Sequence, residues 1–523
     1  MLKNLPVWLL VAVVVTWPAM LGQKLIGDPA ADVWNHAWGY WYVAESLGRG
    51  AWPFFTELAG GPDGGTLWFI DAPGAIVMTP VTWLLGPAVA YNLVLMGRLA
   101  LTGWATQGLA RELGSPGWLA GVAAMTSPFL LCELGNGISE VCAAQWLAMS
   151  LWAAARAKGW AGWALTGLLM GICGVVTFYY GLASAALVAV VALWRRDPKA
   201  VVAIAVQALL FLPIWFVFKA SLAAEDALIL RGTDLDTALL RHNAVDPRVF
   251  VMPGAFQSID LQARFGEALV HTGYLRWTLL LLAGWATWAN RKLWGWWMVI
   301  AASVAMGMGH YLFWDEQFVE AGGRLLALPF GWLKAVLPEV AITHPLRFAL
   351  GANLVLAAVA ACAPLGRMRG PAIALVAAEG IFASAAQWPL PMSPTEVPSF
   401  YEDVGEGMVL DLPMEAGATM LTSQYFWFQT VHHRPIPWTP DVRRGSVRDP
   451  DVFWAAGSNT LGENPVTPPA GALDHYALIV IHPEMEPDVA ARWKDALGKR
   501  YVFVDEGDHW VARPQTGQPR PSP

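Results

Sequence analysis

Long apolar stretches separated by short polar turns dominate the chain up to about residue 388. A stretch of roughly 17–25 apolar residues is long enough to cross the hydrocarbon core of a bilayer as a helix. Because such stretches recur, the pattern predicts an α-helical polytopic membrane protein with about eleven transmembrane helices. The predicted spans are 5–21, 88–110, 117–134, 139–155, 160–178, 181–194, 200–218, 274–290, 294–310, 345–363 and 371–388.

Two apolar segments need separate interpretation. The first span has a long apolar core and no A-x-A triplet after it. Since a cleavable signal peptide has a shorter core and a small-residue cleavage site, we interpret this span as an uncleaved helix. Residues 73–85 are apolar but too few to span comfortably, and we expect a re-entrant or interfacial helix there.

Basic residues in the short loops predict the orientation of the chain. With the N-terminus in the cytoplasm, the short outer turn at 135–138 holds no Lys or Arg, as the positive-inside rule requires. Loops 22–72, 219–273 and 311–344 and the C-terminal segment then face outward. The predicted cytoplasmic turns hold Arg111, Arg156, Lys158, Arg195, Arg196, Lys199, Arg291, Lys292, Arg367 and Arg369.

The pattern changes after residue 388. Alternating and β-branched runs predict strands at 408–412, 477–481 and 501–504, and a polar helical pattern covers 487–499. We therefore expect a transmembrane domain at 1–388, followed at 389–523 by a small extracytoplasmic α/β domain with a disordered Pro- and Gly-rich tail.

Composition excludes several classes of protein. The chain has 523 residues, of which 56% are hydrophobic and 14% charged, and its mean hydropathy is +0.43. Soluble domains carry about 25% charged residues, so a soluble enzyme and a nucleic-acid-binding module are excluded. The net charge is −7. Four cysteines in or beside apolar segments are too few for a disulfide framework, and we expect them to be buried small residues.

The first outer loop carries a distinctive run, GDPAADVWNHAWGYWY. Asp28 followed by Pro29 is typical of a helix N-cap and its first-turn proline. A helix from this point would place Asp32 and His36 on a polar face that looks into an outer cavity. The opposite face would hold a tryptophan stripe that lies flat in the membrane interface. The alternatives without a functional role are that Asp28 caps the helix, that Asp32 is a solvated carboxylate and that His36 is a polar side chain at the membrane interface.

These motifs resemble the GT-C superfamily of integral-membrane glycosyltransferases, and more narrowly a broad group of bacterial GT-C-like membrane proteins. The matching segments are GDPAADVWNHAWGYWY, PDGGTLWF, PVTWLLGPAVAYNL, THPLRF at 343–348 and VLDLP at 409–413. The resemblance implies transfer of a sugar from a polyprenyl-phosphate-linked donor to an unknown glycan, lipid or protein acceptor. It places the reaction on the outer face of the bacterial cytoplasmic (inner) membrane.

Such a reaction assigns roles to residues of the outer loops. The acceptor hydroxyl loses a proton as it attacks the anomeric carbon, and a carboxylate serves as general base. Asp32 is the first candidate and Asp28 the second. The departing phosphate needs positive charge or helix-end amides, which Arg347 and the neighbouring His344 would supply at the start of a span. The alternative without a catalytic or binding role is that the Arg347 side chain snorkels to the lipid headgroups.

Other polar residues and a metal remain possible at this site. Glu133 flanks the outer turn between two spans and is a candidate for substrate binding, with a structural role as the alternative. Two carboxylates could hold a divalent ion such as Mg²⁺ or Mn²⁺ through water. The sequence has no Walker motif, no GxGxxG after a strand and no zinc spacing, which disfavours ATP-driven transport and nucleotide-sugar binding.

Two rival functions stay open. A transporter or flippase of lipid-linked glycan is suggested by Arg98 and Glu379, which lie inside predicted spans. The same two residues could instead form a structural ion pair. The other rival is a non-catalytic GT-C-like scaffold that binds a partner through its outer domain.

Overall fold

The computed structural model describes residues 2–19, 24–69, 71–228, 240, 243–254, 273–315, 317–336, 343–385, 387–416, 419–440, 473–498 and 500–515. Most of these residues are helical. The helices are α1 (Leu5–Val15), α2 (Val33–Gly48), α3 (Ala72–Leu85), α4 (Pro87–Glu112), α5 (Trp118–Met125), α6 (Pro128–Asn136), α7 (Gln145–Arg156), α8 (Gly159–Val176), α9 (Phe178–Arg195), α10 (Val201–Leu222), α11 (Trp277–Ala289), α12 (Trp294–Gly307), α13 (Pro329–Val336), α14 (Ala349–Ala360), α15 (Arg369–Phe382), α16 (Thr422–His432) and α17 (Pro487–Leu497).

The strands are short and fall mainly in the loops and the C-terminal segment. They are β1 (Lys24–Ile26), β2 (Phe55–Thr56), β3 (Gly65–Thr66), β4 (Phe313–Trp314), β5 (Gln317–Phe318), β6 (Glu320–Ala321), β7 (Arg324–Leu325), β8 (Met392–Pro394), β9 (Met408–Leu412), β10 (Glu415–Ala416), β11 (Thr419–Met420), β12 (Tyr476–Ile481), β13 (Tyr501–Glu506) and β14 (His509–Pro514). A 3-10 turn, Pro345–Phe348, leads directly into α14.

Every predicted membrane span contains a helix, and the chain is a multi-pass membrane protein. Among the described residues, four helical stretches are long and apolar enough to cross a bilayer by length and composition. They are Trp118–Asn136, Gly159–Val176, Phe178–Arg195 and Pro198–Leu222. Several other apolar helices are shorter than the roughly 20 residues that a perpendicular crossing needs. Eleven crossings therefore remain a prediction.

Two predicted spans are interrupted. Within 117–134, α5 ends at Met125 and α6 begins at Pro128, because proline lacks the N–H that would continue the helix. Within 139–155, α7 begins only at Gln145, after a stretch of turns. The buried Glu133 lies on α6, between the two interruptions, and the buried Glu140 lies within the second one.

Glycines allow helices α8, α9 and α10 to approach closely. A Cβ atom on Gly181 would lie 2.4 Å from the Cα atom of Gly174, and one on Gly167 would lie 2.4 Å from the carbonyl oxygen of Ala203. Neither position could accept a larger residue without a backbone shift. Small residues at crossings are the usual way for helices to pack in lipid, where there is no hydrophobic driving force between them.

The C-terminal segment contains a four-stranded mixed sheet of order β13-β14-β12-β9. Strand β9 runs parallel to β12, with Leu412 opposite Ile481, and the remaining pairs are antiparallel. The strands predicted at 408–412, 477–481 and 501–504 are present, and α17 occupies the predicted helical stretch. The predicted tail lies outside the described residues.

Contacts divide the chain into two compact units. Unit 1 comprises 1–28, 91–216 and 232–393 and contains most of the apolar helices. Unit 2 comprises 29–90, 217–231 and 394–523, so the C-terminal segment groups with most of the first outer loop. The sequence placed that loop, 22–72, with the transmembrane domain, whereas its helix α2 and the following helix α3 pack within unit 2.

Helix α2 is a buried helix of unit 2, not an interfacial one. It begins at Val33 rather than after Asp28, and it packs against α3 on one side and α16 on the other. Trp38 is 1% exposed, lies 4.8 Å from the ring of Phe426 and donates to Gln429 Oε1 at 2.8 Å. The prediction of a tryptophan stripe in the membrane interface is therefore wrong. An apolar helix face packs as well against protein as against lipid, and here protein covers it.

Arg98 and Glu379 do not form the ion pair that the sequence suggested. Arg98 donates to the carbonyl of Ser139 at 2.5 Å. The Glu379 carboxylate accepts from the backbone N–H groups of Trp277 and Thr278, at 2.8 and 3.1 Å, and from the hydroxyls of Thr278 and Tyr274. Glu379 thus satisfies the first amides of α11, which have no partner inside the helix.

We expect Glu379→Leu to destabilise the fold by about 1–3 kcal/mol, because it removes the carboxylate that accepts from the first N–H groups of α11 and from the hydroxyls of Thr278 and Tyr274. Glu379→Gln keeps an acceptor oxygen and should lose less. Thermal unfolding in detergent measures both variants. Adding Arg98→Leu to Glu379→Leu should not restore stability, and a recovery in the double variant would show that the two charges do compensate each other.

Candidate functional site

A buried arginine in unit 1 is the clearest candidate for binding an anion. Arg347 lies in the 3-10 turn before α14 and is 8% exposed. Its guanidinium carbon lies 4.8 Å from the centre of the Tyr179 ring, and its Nε lies 3.7 Å from Glu133 Oε1. That distance is an ion pair but is too long for a hydrogen bond. Within the described part of the chain, the Arg347 side chain donates no hydrogen bond, and its Nε is buried without a partner.

Polar side chains from two loops surround the start of the same helical segment. The Thr343 hydroxyl lies 3.1 Å from the Tyr179 hydroxyl and 2.8 Å from Nδ1 of His344. The Asn243 side chain donates to the Thr343 carbonyl at 2.6 Å. These contacts position His344 and Tyr179 beside Arg347, and they connect the loop after α10 to the start of α14.

Glu133 reaches this place because α6 ends there. It is 5% exposed, and α6 closes at Gly137 in the left-handed conformation that glycine tolerates. The neighbouring turn brings in Glu140, which is 4% exposed and whose carbonyl accepts from Thr177 at 2.7 Å. Glu133 and Glu140 are therefore two buried carboxylates of unit 1, and Glu133 lies next to the Arg347 guanidinium.

Asp28 is anchored on the end of α6. Its N–H donates to the carbonyl of Gly135 at 2.7 Å, two residues after Glu133. The Tyr91 hydroxyl donates to the carbonyls of both Gly137 and Ile26, at 2.7 and 3.0 Å. The half-buried Asp28 is thus held by unit 1 on the helix that carries Glu133.

Asp32 and His36 lie in unit 2. Asp32 is the N-cap residue of α2 and makes no side-chain capping hydrogen bond. His36 is 9% exposed, and its ring centre lies 6.4 Å from that of Phe69. One turn further along this face, the Tyr40 hydroxyl donates to Asp71 Oδ2 at 2.6 Å, and Asp71 is fully buried.

The structure therefore sorts the predicted site residues into two groups. Glu133, His344 and Arg347 come together in unit 1, where Asp28 is also held. Asp32, half-buried at the N-cap of α2, and His36, buried on α2, lie in unit 2. Tyr179 and Asp71 were not predicted as site residues. Tyr179 is an aromatic residue near the start of a helix and Asp71 precedes Ala-Pro, and neither sequence context forms a recognisable motif.

A further buried polar cluster lies in the C-terminal sheet. His482 Nε2 is 2.9 Å from Asp411 Oδ1, and the Tyr401 hydroxyl donates to the same oxygen. Burial and the Asp411 charge raise the pKa of Tyr401 well above its usual value. Burial also lowers the pKa of His432 to about 4, so that side chain is neutral at pH 7. The cluster ties the ends of two parallel strands together, as polar networks in cores do.

Metal binding finds no support in the donor set. Among the described residues, no three His, Cys, Asp or Glu side chains are placed to hold a metal ion together. The described residues therefore offer no side-chain ligand set for the divalent ion that the sequence left open. All four cysteines are free thiols, with Cys132, Cys142 and Cys173 buried and Cys362 half-buried.

The arrangement around Arg347 can bind a phosphate. The guanidinium offers donors that no described residue uses, and the N-terminus of a helical segment adds the positive end of its dipole. Guanidinium groups recognise phosphate through paired charge-assisted hydrogen bonds. Glu133 alone does not satisfy the hydrogen-bond donors of the guanidinium, because its Oε1 lies 3.7 Å from Nε, beyond hydrogen-bond distance.

Comparison with known proteins relates the chain to solved structures. No family model and no curated relative matches the sequence. Two classes of the cryo-EM structure of the arabinofuranosyltransferase AftD from Mycobacteria match with TM-scores of 0.51 and 0.52 at 15% sequence identity. The matches cover 98% and 99% of this chain and 41% and 42% of AftD, so the chain spans well under half of AftD's length.

Two further likenesses are weaker. The apo oligosaccharyltransferase of Archaeoglobus fulgidus matches with a TM-score of 0.48 at 13% identity, covering 99% of this chain and 75% of that chain. ArnT from Cupriavidus metallidurans, bound to undecaprenyl phosphate, matches with a TM-score of 0.44 at 13% identity, covering 98% of both chains. Since both scores lie below 0.5, the fold assignment rests on AftD. The chain has the fold of the matched part of AftD.

Proposed function

We propose that the protein transfers a sugar from a polyprenyl-phosphate-linked donor to an acceptor on the outer face of the bacterial cytoplasmic membrane. The observation that carries the proposal is the buried Arg347 guanidinium, whose hydrogen-bond donors no described residue uses. A buried charge without hydrogen bonds is costly. A phosphate ester at this point would supply the hydrogen-bond acceptors that Glu133, at 3.7 Å from Nε, does not supply.

The apolar surroundings favour a lipid-linked phosphate over a soluble one. Arg347 precedes α14, every residue of which is buried, and it belongs to a chain with 56% hydrophobic residues. A polyprenyl chain can lie among apolar helices while its phosphate reaches the helix end. A nucleotide sugar would need a polar groove for its base and ribose, and the sequence has no motif for one.

Asp28 is the preferred general base. The acceptor oxygen forms a bond to the anomeric carbon, its proton passes to the carboxylate, and the bond between that carbon and the phosphate oxygen breaks. The electron pair leaves with the polyprenyl phosphate, whose added negative charge Arg347 stabilises. Unit 1 holds both Asp28 and Arg347, whereas Asp32 belongs to unit 2. This supports Asp28 over Asp32, with His344 and Glu133 as substrate-binding residues.

The proposed orientation places the N-terminus in the cytoplasm and the C-terminal α/β domain, 389–523, outside. It is supported by the basic residues of the short loops. The Arg195 side chain, for example, donates to the carbonyls of Ala154 and Ala157 at 2.5 and 2.6 Å and so closes the end of one such turn. Domain 1–388 would then carry the reaction, and the acceptor would arrive from outside.

The direct test is an assay of the purified protein in detergent with polyprenyl-phosphate-linked sugars. Binding of undecaprenyl phosphate is measured by native mass spectrometry, and transfer by the appearance of labelled sugar on a membrane-extract acceptor. We expect binding of the lipid phosphate and release of labelled product. Binding without transfer from any donor would favour the scaffold, and no binding of the lipid phosphate would overturn the proposal.

A further inference from the structure

Helix α3 has two faces of opposite character. Its buried face consists of small residues, Ala72, Ala75, Thr79 and Thr82, and packs against α2 inside unit 2. Its other face is exposed and entirely apolar, with Leu84 at 82% and Val77 at 74% exposure. That face consists of Ile76, Val77, Pro80, Trp83, Leu84 and Leu85.

No charge interrupts this surface. The sequence from Ala72 to Tyr91 contains no Asp, Glu, Lys or Arg. An exposed apolar patch of several hundred Å² is unusual in contact with water and marks an interaction surface. In a multi-pass membrane protein, acyl chains can cover such a face without any complementary shape, and the lack of polar groups on it agrees with that partner.

The length of α3 restricts how it meets a bilayer. Its fourteen residues extend about 21 Å at 1.5 Å per residue, whereas the hydrocarbon core is roughly 30 Å thick. The helix ends at Gly86, whose φ of +85° allows the chain to turn sharply into α4. A helix of this length with one apolar face is too short to cross the core, and it fits within a single leaflet when it lies tilted or parallel to the membrane surface.

We infer that unit 2 carries its own membrane anchor, the exposed face of α3, which inserts into one leaflet of the bilayer. The buried face of α3 holds α2, and α2 in turn holds α16. The C-terminal part of unit 2 is therefore connected to the bilayer through packed helices, in addition to its covalent connection to the rest of the chain.

The end of α3 is built for the interface between lipid and water. The Trp83 indole N–H donates to the carbonyl of Ala44 at 3.1 Å, near the end of α2. Directly after α2 come the exposed Arg49 and Trp52, the latter 68% exposed. Tryptophan and arginine together are typical of the headgroup layer. This places the segment that follows α2, with Arg49 and Trp52, at that level, and Leu84 and Leu85 deeper.

Spin labelling tests the anchor. Leu84→Cys and Val77→Cys, each combined with Cys362→Ala, carry a nitroxide in vesicles of phosphatidylcholine and phosphatidylglycerol; the remaining native thiols are buried. The matched control is Asp63→Cys, an exposed residue of the same unit. We expect molecular oxygen to collide with the labels at 77 and 84 several-fold more often than a water-soluble nickel complex does, and the reverse at 63.

Two outcomes would overturn the inference. Preferential collision with the nickel complex at position 84 would show that α3 faces water. Protection of position 84 from both reagents would show that protein, such as a second copy of this chain, covers the face. Crosslinking of the unmodified protein with a photoreactive acyl-chain lipid gives an independent measurement, in which adducts should map to the α3 peptide.

Discussion

Arg347→Gln should weaken binding of polyprenyl phosphate by about 2–5 kcal/mol, or roughly 30-fold to 5,000-fold in Kd. The guanidinium is the buried cation at the start of the α14 segment, and its donors have no other described acceptor. The ground-state phosphate is already charged, so the loss should appear in binding as well as in transfer. Native mass spectrometry with undecaprenyl phosphate measures the binding, and the labelled-sugar assay measures the transfer.

A structural effect of the same change can be separated from loss of binding. Removing Arg347 leaves Glu133 buried at 5% exposure without its ion-pair partner, which destabilises the fold. Arg347→Gln combined with Glu133→Gln removes both charges and should recover much of the thermal stability while binding stays weak. If the double variant binds the lipid phosphate as the wild type does, Arg347 is only the structural partner of Glu133.

The second large effect is expected at Asp28. Asp28→Asn preserves shape and removes the proton acceptor, so transfer should fall by about 10²–10⁴-fold, which corresponds to about 2.7–5.5 kcal/mol of transition-state stabilisation. Binding of the donor lipid should stay near the wild-type value, because the base acts on the acceptor. Single-turnover transfer and equilibrium binding, measured on the same preparation, check the two halves of this expectation.

Asp32→Asn is the matched control for Asp28→Asn. The same chemical change is made four residues further along the chain, at a residue that unit 2 holds. It should leave transfer within a few-fold of the wild type. The opposite pattern, with Asp28→Asn active and Asp32→Asn inactive, would return the role of base to the residue that the sequence first suggested.

Local patterns predicted the elements well because they depend on neighbouring residues. Apolar runs located the helices, and alternating runs located strands β9, β12 and β13. The break between α5 and α6 follows from Pro128, and the run of apolar residues alone concealed it. The short apolar segment before α4 was recognised as unsuited to crossing the bilayer, and its helix α3 is fourteen residues long.

Tertiary packing decided what the periodicity of α2 could not. Its tryptophans occupy one apolar face, which is compatible with either lipid or protein as a neighbour. The sequence around Trp34 and Trp38 contains no sign of Trp427 and Phe426, which lie far along the chain and cover them. Conversely, the face of α3 that carries Trp83 and Leu84 stayed exposed, because the small residues on its other face are the ones that pack against α2.

The sequence by itself determined the class of the protein, the sites of its helices and the residue types suited to sugar transfer. Only the tertiary structure decided which of them meet. Two helix ends that are distant in the chain bring Glu133 Oε1 and Arg347 Nε to 3.7 Å from each other. Glu379 accepts hydrogen bonds from the first amides of α11 and does not pair with Arg98. The physical reason is that the partners of a charged side chain among apolar helices depend on which helix ends come together. Local residue patterns carry no information about that.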